Sequence, residues 1–287
     1  MANVLKFGLF GVHRGKMAEP EALGRRARLA EAAGFESVWV GDHISLPMGE
    51  ATVPAYPPEQ PRLEALTALS YLAGITNRVR LGVGVIVMPQ RHPLLLAKQL
   101  TTVDVLSGGR LIFGIGVGYV PAELEALGAS MADRGARTDE YLAAIRAVWD
   151  EAAPAFTGRH VAWSDLMQRP LPIQKPGPPV VVGGRSKAAY RRALTLAHGF
   201  FGHNWTLEDT ASVLNEIQEL ARQAERPAEL GELEITITPR EAIDLDTARR
   251  YADLGVHRLA LLPRDLDSPT FAEELIERVG ETVIGRV

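Results

Sequence analysis

The sequence predicts an α/β protein closed as a TIM-type (β/α)8 barrel, a single domain over residues 1–287. Three observations carry this. Eight short apolar runs alternate along the chain with eight segments of helical spacing. The runs are continuously apolar, as parallel strands covered on both faces should be. The length of 287 residues suits a barrel, which takes about 250 residues and tolerates insertions. A doubly wound open sheet is the rival; it would want fewer strands and a sequence break at a crevice, and neither is seen.

The first strand is 6–11 (KFGLFG). Pro20 takes a first helical position, Leu23, Ala27 and Ala30 recur at helical spacing, and Gly34 stops the helix. Strand two, 37–41 (SVWVG), ends at Asp42-His43. The loop 44–62 carries Pro47, Pro54, Pro57, Pro58 and Pro61 without periodicity, the mark of a lid or linker. Leu66, Leu69 and Ala73 mark a helix, and 80–87 (RLGVGVIV) is the third strand. His92 precedes Pro93, which opens a helix with Leu96, Leu100 and Val103 on one face. Ser107-Gly108-Gly109 turns the chain into strand four, 110–118. A short helical segment, 121–128, leads on to helix four, 139–151, striped by Tyr141, Ile145 and Val148. The proline-rich stretch 154–179, with a hairpin around Thr157-Gly158, is an excursion within the fold, because alternation resumes after it. Insertions thus follow strand 2 and helix 4. Strand five, 180–182, ends in Gly183-Gly184 and meets a helix over 187–197. Strand six is 199–203, and Leu214, Ile217 and Ala221 mark the next helix. Strand seven, 233–238 (LEITIT), alternates; Ala248 and Ala252 lie on a helix that Gly255 ends. Strand eight is 258–262, after which Ser268 caps and Pro269 starts a last helix.

Composition narrows the function. A net charge of −4 and a pI of about 6.0 offer no basic field to nucleic acid. The absence of cysteine excludes disulfides, thiolate metal sites and cysteine nucleophiles. The N-terminus lacks the basic lead and long apolar stretch of a signal peptide. No run reaches the roughly 18 apolar residues of a membrane span. A soluble, cytoplasmic protein is expected.

In a barrel, chemistry collects at the C-terminal ends of the strands. That rule selects His13, Asp42, His43, Gly84-Val85, the run from Gly116 to Tyr119, the run from Gly183 to Ser186, and His203-Asn204. Gly82 and Gly84 in one strand, and Gly114, Gly116 and Gly118 in the next, bare the backbone on one face. Two such strands side by side would make a flat floor for a planar cofactor; the other reading is that the glycines relieve crowding inside the barrel. The glycine spacing does not match a dinucleotide fingerprint, since Tyr119 or Pro121 stands where the third glycine belongs. Gly183-Gly184-Arg185-Ser186 lies between a strand and a helix, where free N–H groups accept an anion, or it is an ordinary turn capped by Ser186. Asp42-His43 is an acid/base candidate or a hydrogen-bonded loop pair. The remaining histidines show no tight metal-ligand spacing, so no metal is expected. Arg25-Arg26, Arg191-Arg192 and Arg249-Arg250 read as solvated helix faces.

Five segments together, 36–43 (ESVWVGDH), 79–93 (VRLGVGVIVMPQRHP), 108–128 (GGRLIFGIGVGYVPAELEALG), 134–149 (RGARTDEYLAAIRAVW) and 179–193 (PVVVGGRSKAAYRRA), resemble the luciferase-like monooxygenase superfamily. Within it they are similar to the oxidoreductases that use the deazaflavin coenzyme F420. The resemblance spans residues 7–275 and implies a TIM barrel. It implies that Asp42 contacts the deazaflavin and that His43 is the active-site histidine. It places Gly84 and Val85 in a bulge, often with a cis peptide, behind the ring. It places Gly116, Val117 and Gly118 beside the ring and ribityl chain, and Gly183, Gly184, Arg185 and Ser186 at the phosphate. Two positions depart from the family pattern. Ala197-His198-Gly199-Phe200 replaces a Gly-Asp-Gly-Trp-like run, and Tyr119 stands where some relatives carry a catalytic glutamate. The resemblance implies hydride transfer between F420 and a small organic substrate, in a homodimer. The alternatives are an FMN-dependent monooxygenase of the same fold and a non-catalytic flavin-binding relative. A barrel aldolase or hydrolase would want a lysine or paired carboxylates at strand ends, which are not seen.

Overall fold

The computed structural model describes residues 4–49, 57–150, 155–268 and 270–287. Pro54 of the long loop, residue 151 at the predicted end of helix four, Pro154 and the helix start at Pro269 lie outside them. The barrel staves are β1 (Lys6–Phe10), β2 (Ser37–Val40), β3 (Arg80–Val83) with β4 (Ile86–Val87), β5 (Leu111–Gly116), β8 (Val180–Gly183), β9 (Gly199–Trp205), β10 (Glu234–Pro239) and β11 (Arg258–Leu261). All pair in parallel, and the pairings of β3 with β5 and of β1 with β11 close the barrel. The predicted hairpin is present as β6 (Phe156–Thr157) against antiparallel β7 (Ala162–Trp163). The helices are α1 (Pro20–Ala32), α2 (Ala65–Ile75), α3 (Pro93–Leu106), α4 (Pro121–Ala126), α5 (Arg134–Trp149), α6 (Lys187–Leu196), α7 (Leu207–Ala221), α8 (Leu245–Asp253) and α9 (Phe271–Thr282).

Side chains alternate across each stave. Leu9, Val38, Leu81 and Phe113 pack outward in the main core beneath the helices, whereas Phe10, Trp39, Ile112, Val181, Phe201 and Ala260 pack inside the barrel. Trp39 is fully buried there, its Nε1 donating to Ser37 Oγ at 2.8 Å. A buried tryptophan removes roughly 150–250 Å² from water, a contribution of about 4–6 kcal/mol. The N-terminal end of the barrel is closed by Arg258, which bonds Glu36 at 2.8 and 3.0 Å, pairs with Glu234, and lies 5.6 Å from the Trp39 ring centre.

Four details differ from the sequence reading. The third strand, read from its apolar run as unbroken over 80–87, is interrupted at Gly84-Val85, and the cis peptide bond there agrees with the bulge that the family resemblance implies. The helix predicted from residue 139 begins at Arg134, where Asp133 and Arg137 pair one turn apart at 3.0 Å. Arg26 is buried rather than solvated, because its helix face packs on α9 beside Glu273, and Arg192 is largely covered by its pair with Asp139. The glycine-lined floor is also different. A Cβ at Gly82 would lie 2.3 Å from the Trp39 ring, and one at Gly84 2.5 Å from the Phe201 ring. One at Gly116 or Gly183 would lie 2.6 or 2.8 Å from the Val85 methyls. The bare backbone therefore makes room for the chain's own Trp39, Phe201 and Val85, which fill a barrel too narrow for further side chains at those positions.

Candidate active site

The C-terminal ends of the strands surround a cavity of about 540 Å³. Every site residue proposed from the sequence lies on its wall: Asp42, His43, Gly84, Val85, Gly116, Val117, Gly118, Gly183, Gly184, Arg185 and Ser186. Phe10, Val85 and Phe201 supply apolar surface at the base.

His43 follows the end of β2 and is held from the far side by a residue the sequence reading overlooked. Its Nδ1 lies 2.9 Å from Glu123 Oε2, and the other carboxylate oxygen accepts from the amides of Ile44 at 2.6 Å and Ser45 at 3.2 Å. Burial alone would raise the Glu123 pKa; the His43 hydrogen bond and charge and the two amides reverse this and hold it below the ordinary carboxylate range. With Nδ1–H committed to the carboxylate, Nε2 is the acceptor nitrogen, and Tyr119 Oη lies 3.3 Å from it. The Tyr119 ring meets the imidazole edge-on, at 5.7 Å and 88°. Glu123 stands in the first turn of α4, directly after strand four; an acid at that point was the available signal.

Asp42, by contrast, spends its carboxylate on Arg91 and the Val87 amide. Its partner is thus an arginine just beyond β4, also missed in the sequence.

At one end of the cavity lies the turn into α6. Ser186 caps the helix, its Oγ accepting from Ala189 N at 3.3 Å. Gly184 has φ of +144°, and a Cβ there would press on Ala189 at 2.8 Å, so the turn requires glycine. Arg185 pairs with Asp209 and stacks over Trp205, with its guanidinium 5.7 Å from the ring centre. Arg134, Thr138 and Arg192 join the same end. Helix N-terminus and arginines together favour an anion.

At the other end, His13 and His203 approach Phe10, whose ring centre is 5.1 Å from that of His203. His13 Nε2 accepts from Gly41 N at 3.2 Å, which puts the proton on Nδ1. Burial, aided by the nearby Arg14, lowers His13 to about 3 and His203 to about 4. Both imidazoles are neutral at pH 7. His198, at one departure from the family pattern, begins the opposite end of β9; its Nδ1 accepts from Val180 N at 3.0 Å, a strand-spacing role away from the cavity.

No group of three or more His, Cys, Asp or Glu able to hold a metal occurs among the described residues, and no helix among them is long and apolar enough to cross a membrane.

The family model for luciferase-like monooxygenases matches residues 4–278. The chain belongs to the luciferase-like monooxygenase family. This luciferase-like chain is 28% identical over 238 residues to an uncharacterised protein of Mycobacterium tuberculosis, covering 80% of this chain and 81% of that one. It is 25% identical over 208 residues to an FMNH(2)-dependent dimethylsulfone monooxygenase of Pseudomonas putida, covering 71% of this chain and 54% of the relative. Among solved structures, its fold matches an F420-dependent secondary alcohol dehydrogenase in complex with an F420-acetone adduct, with a TM-score of 0.78, 17% identity and 99% of both chains covered. It also matches a monooxygenase from Streptomyces bottropensis, with a TM-score of 0.77, 21% identity and 97% and 98% of the two chains covered. The luciferase-like neighbours thus include both F420- and FMN-dependent enzymes.

Proposed function

We propose that this protein is an oxidoreductase that transfers a hydride between coenzyme F420 and a small organic substrate. The observation that carries the reading is the Glu123–His43 pair, which turns His43 Nε2 and the Tyr119 hydroxyl toward an apolar-based cavity with an anion-binding turn at its rim. The residues present fit such a cofactor. A cavity of about 540 Å³ lies within the roughly 300–1,000 Å³ of small-molecule sites. Val85, Gly116, Val117 and Gly118 would bound the ring and its chain, with the Asp42–Arg91 pair behind them. Gly183, Gly184, Arg185 and Ser186 would take the phosphate.

When bound, F420 supplies the carbon that accepts or donates a hydride. Hydride movement to or from an alcohol or ketone also moves a proton at oxygen, and His43 Nε2 is the group placed to carry it. Glu123 holds Nδ1–H, so a proton gained at Nε2 gives an imidazolium beside a carboxylate, stabilised by charge and hydrogen bond. Tyr119 cannot replace the carboxylate that some relatives carry; its hydroxyl donates to Nε2 and orders that edge of the ring. The apolar base excludes water from the reacting carbons.

The FMN-dependent monooxygenase is the second reading, favoured by the sequence likeness to the dimethylsulfone enzyme. A fluorescence titration of the purified protein with F420 and with FMN separates the two. Tighter F420 binding, with substrate turnover that needs no oxygen, is the expected result. Preference for FMN with oxygen-dependent turnover would replace the proposal by the second reading; bound cofactor without turnover would point to a non-catalytic flavin-binding relative, and binding of neither to a lapsed site.

A further inference from the structure

The chain after β1 and the end of the long loop are joined. Gly15 N donates to Pro61 O at 2.9 Å, Leu63 N donates to His13 O at 3.1 Å, and Arg14 and Arg62 form an antiparallel bridge between them. This short ladder brings His13, Arg14 and Arg62 to one wall of the cavity, beside His43 and across from the α6 turn. Arg14 is 5% exposed and its Nη2 donates to Gln60 Oε1 at 3.2 Å. Arg62 Nη1 donates to the carbonyls of Pro57 at 3.1 Å and Gln60 at 3.2 Å. These bonds tie Arg62 to the loop backbone and Arg14 to the Gln60 side chain.

His13 adds a donor. It is 1% exposed, and with Nε2 occupied by the Gly41 amide its Nδ1–H finds no hydrogen-bond partner among the described residues. A buried N–H left unmet costs about 1–3 kcal/mol, a cost that a bound acceptor removes. Among the described residues, the guanidinium groups that His13 feels are those of Arg14 and Arg62, and both disfavour a further positive charge. Burial is the larger cause of the neutral imidazole; the Arg14 and Arg62 charges add to it, and those same two charges draw an anion in.

We infer that this wall is the substrate's recognition subsite, and that it takes a carboxylate: the substrate is a small organic acid whose carboxylate meets Arg14, Arg62 and the His13 Nδ1–H while its reacting carbon faces His43. The inference rests on the proposed hydride-transfer reading for the identity of the site as a substrate site, but its anion preference stands on the cavity wall itself. Arginine pairs favour carboxylates through charge-assisted, paired hydrogen bonds, and a neutral amide of the same shape lacks that gain.

The test uses para-fluorobenzoate and para-fluorobenzamide as probes, followed by fluorine NMR on the full chain, without cofactor and then with F420. The carboxylate is expected to bind about tenfold or more tighter than the amide. Arg62→Met should abolish that preference, and Arg185→Met should preserve it. Arg62 is the variant of choice because it is less buried than Arg14; the wild-type comparison of the two probes needs no variant at all. Equal binding of the probes, no saturable binding of the carboxylate, or loss of the preference in Arg185→Met but not in Arg62→Met would overturn the inference. F420 titration of the same samples keeps the two readings apart. F420 binding without probe discrimination removes the subsite alone, and probe discrimination without F420 binding removes the hydride-transfer reading alone.

Discussion

Asp42 and Arg91 form a buried bidentate pair, with Nη1 2.6 Å from Oδ2 and Nη2 2.8 Å from Oδ1. The Val87 amide adds a third hydrogen bond to Oδ2 at 2.9 Å. The pair clamps the end of β2 to the segment beyond β4, and so sets the position of the neighbouring His43. The Arg91 guanidinium is charged throughout, its pKa raised further by Asp42 and Glu64 against the opposing effect of burial.

Removing one member leaves a buried charge unmet. Arg91→Met should destabilise the chain by about 3–5 kcal/mol in urea unfolding. The double replacement Asp42→Leu, Arg91→Met should cost less than the two single changes together. Strict additivity would mean that the two charges do not act as a unit.

The Glu123–His43 pair makes a kinetic prediction. Once a substrate is in hand, His43→Ala should lower kcat by ~10²–10⁴-fold, and Glu123→Gln should lower kcat more than it raises KM. F420 affinity, read by fluorescence, should hold in both. A Glu123→Gln enzyme with wild-type kcat would remove the carboxylate from the chemistry.

His13 should make stability depend on pH. An unfolded imidazole titrates near 6.5, whereas buried His13 stays neutral down to about 3. Between those values the unfolded chain binds the extra proton, so stability falls as pH falls. From pH 7 to pH 5 the loss from this one group is about 2 kcal/mol. His203, lowered to about 4, acts in the same direction. Urea unfolding of His13→Asn at the two pH values should show a shallower fall than the wild type; parallel falls would exclude His13 as a cause. Glu123 extends the trend at lower pH: its depressed carboxyl contributes stability above its unfolded value of about 4.5 and loses it as pH falls through the folded value.

Val85 and Gly183 are coupled by contact. Gly183→Ala would place a methyl 2.8 Å from Val85 Cγ1, an overpacking worth about 1–3 kcal/mol. Val85→Ala in the same chain should recover most of that loss in thermal or urea unfolding. Failure of the second change to rescue the first would show that the strain lies elsewhere. Gly183→Asp should be worse than Gly183→Ala for cofactor affinity, because it adds negative charge beside the α6 turn.

The sequence by itself determined the eight staves, their order and the strand ends that line the cavity. Continuous apolar runs, helix-initiating prolines and stopping glycines are local features, and each acts within a few residues of where it is written. The start of α3 at Pro93 was legible too; the structure adds that His92 before it caps the helix, its Nδ1 accepting from Leu94 N at 3.3 Å. The tertiary structure alone decided which side chains meet. His43 and Glu123 are 80 residues apart, and Asp42 and Arg91 are 49 apart; neither pair leaves a periodic mark in the chain. The glycines of β3 and β5 show the same limit. Their spacing announced close approach, but what approaches them is decided by the inward rotamers of Trp39, Phe201 and Val85. Those rotamers exist only once the barrel has closed and its interior volume must be filled.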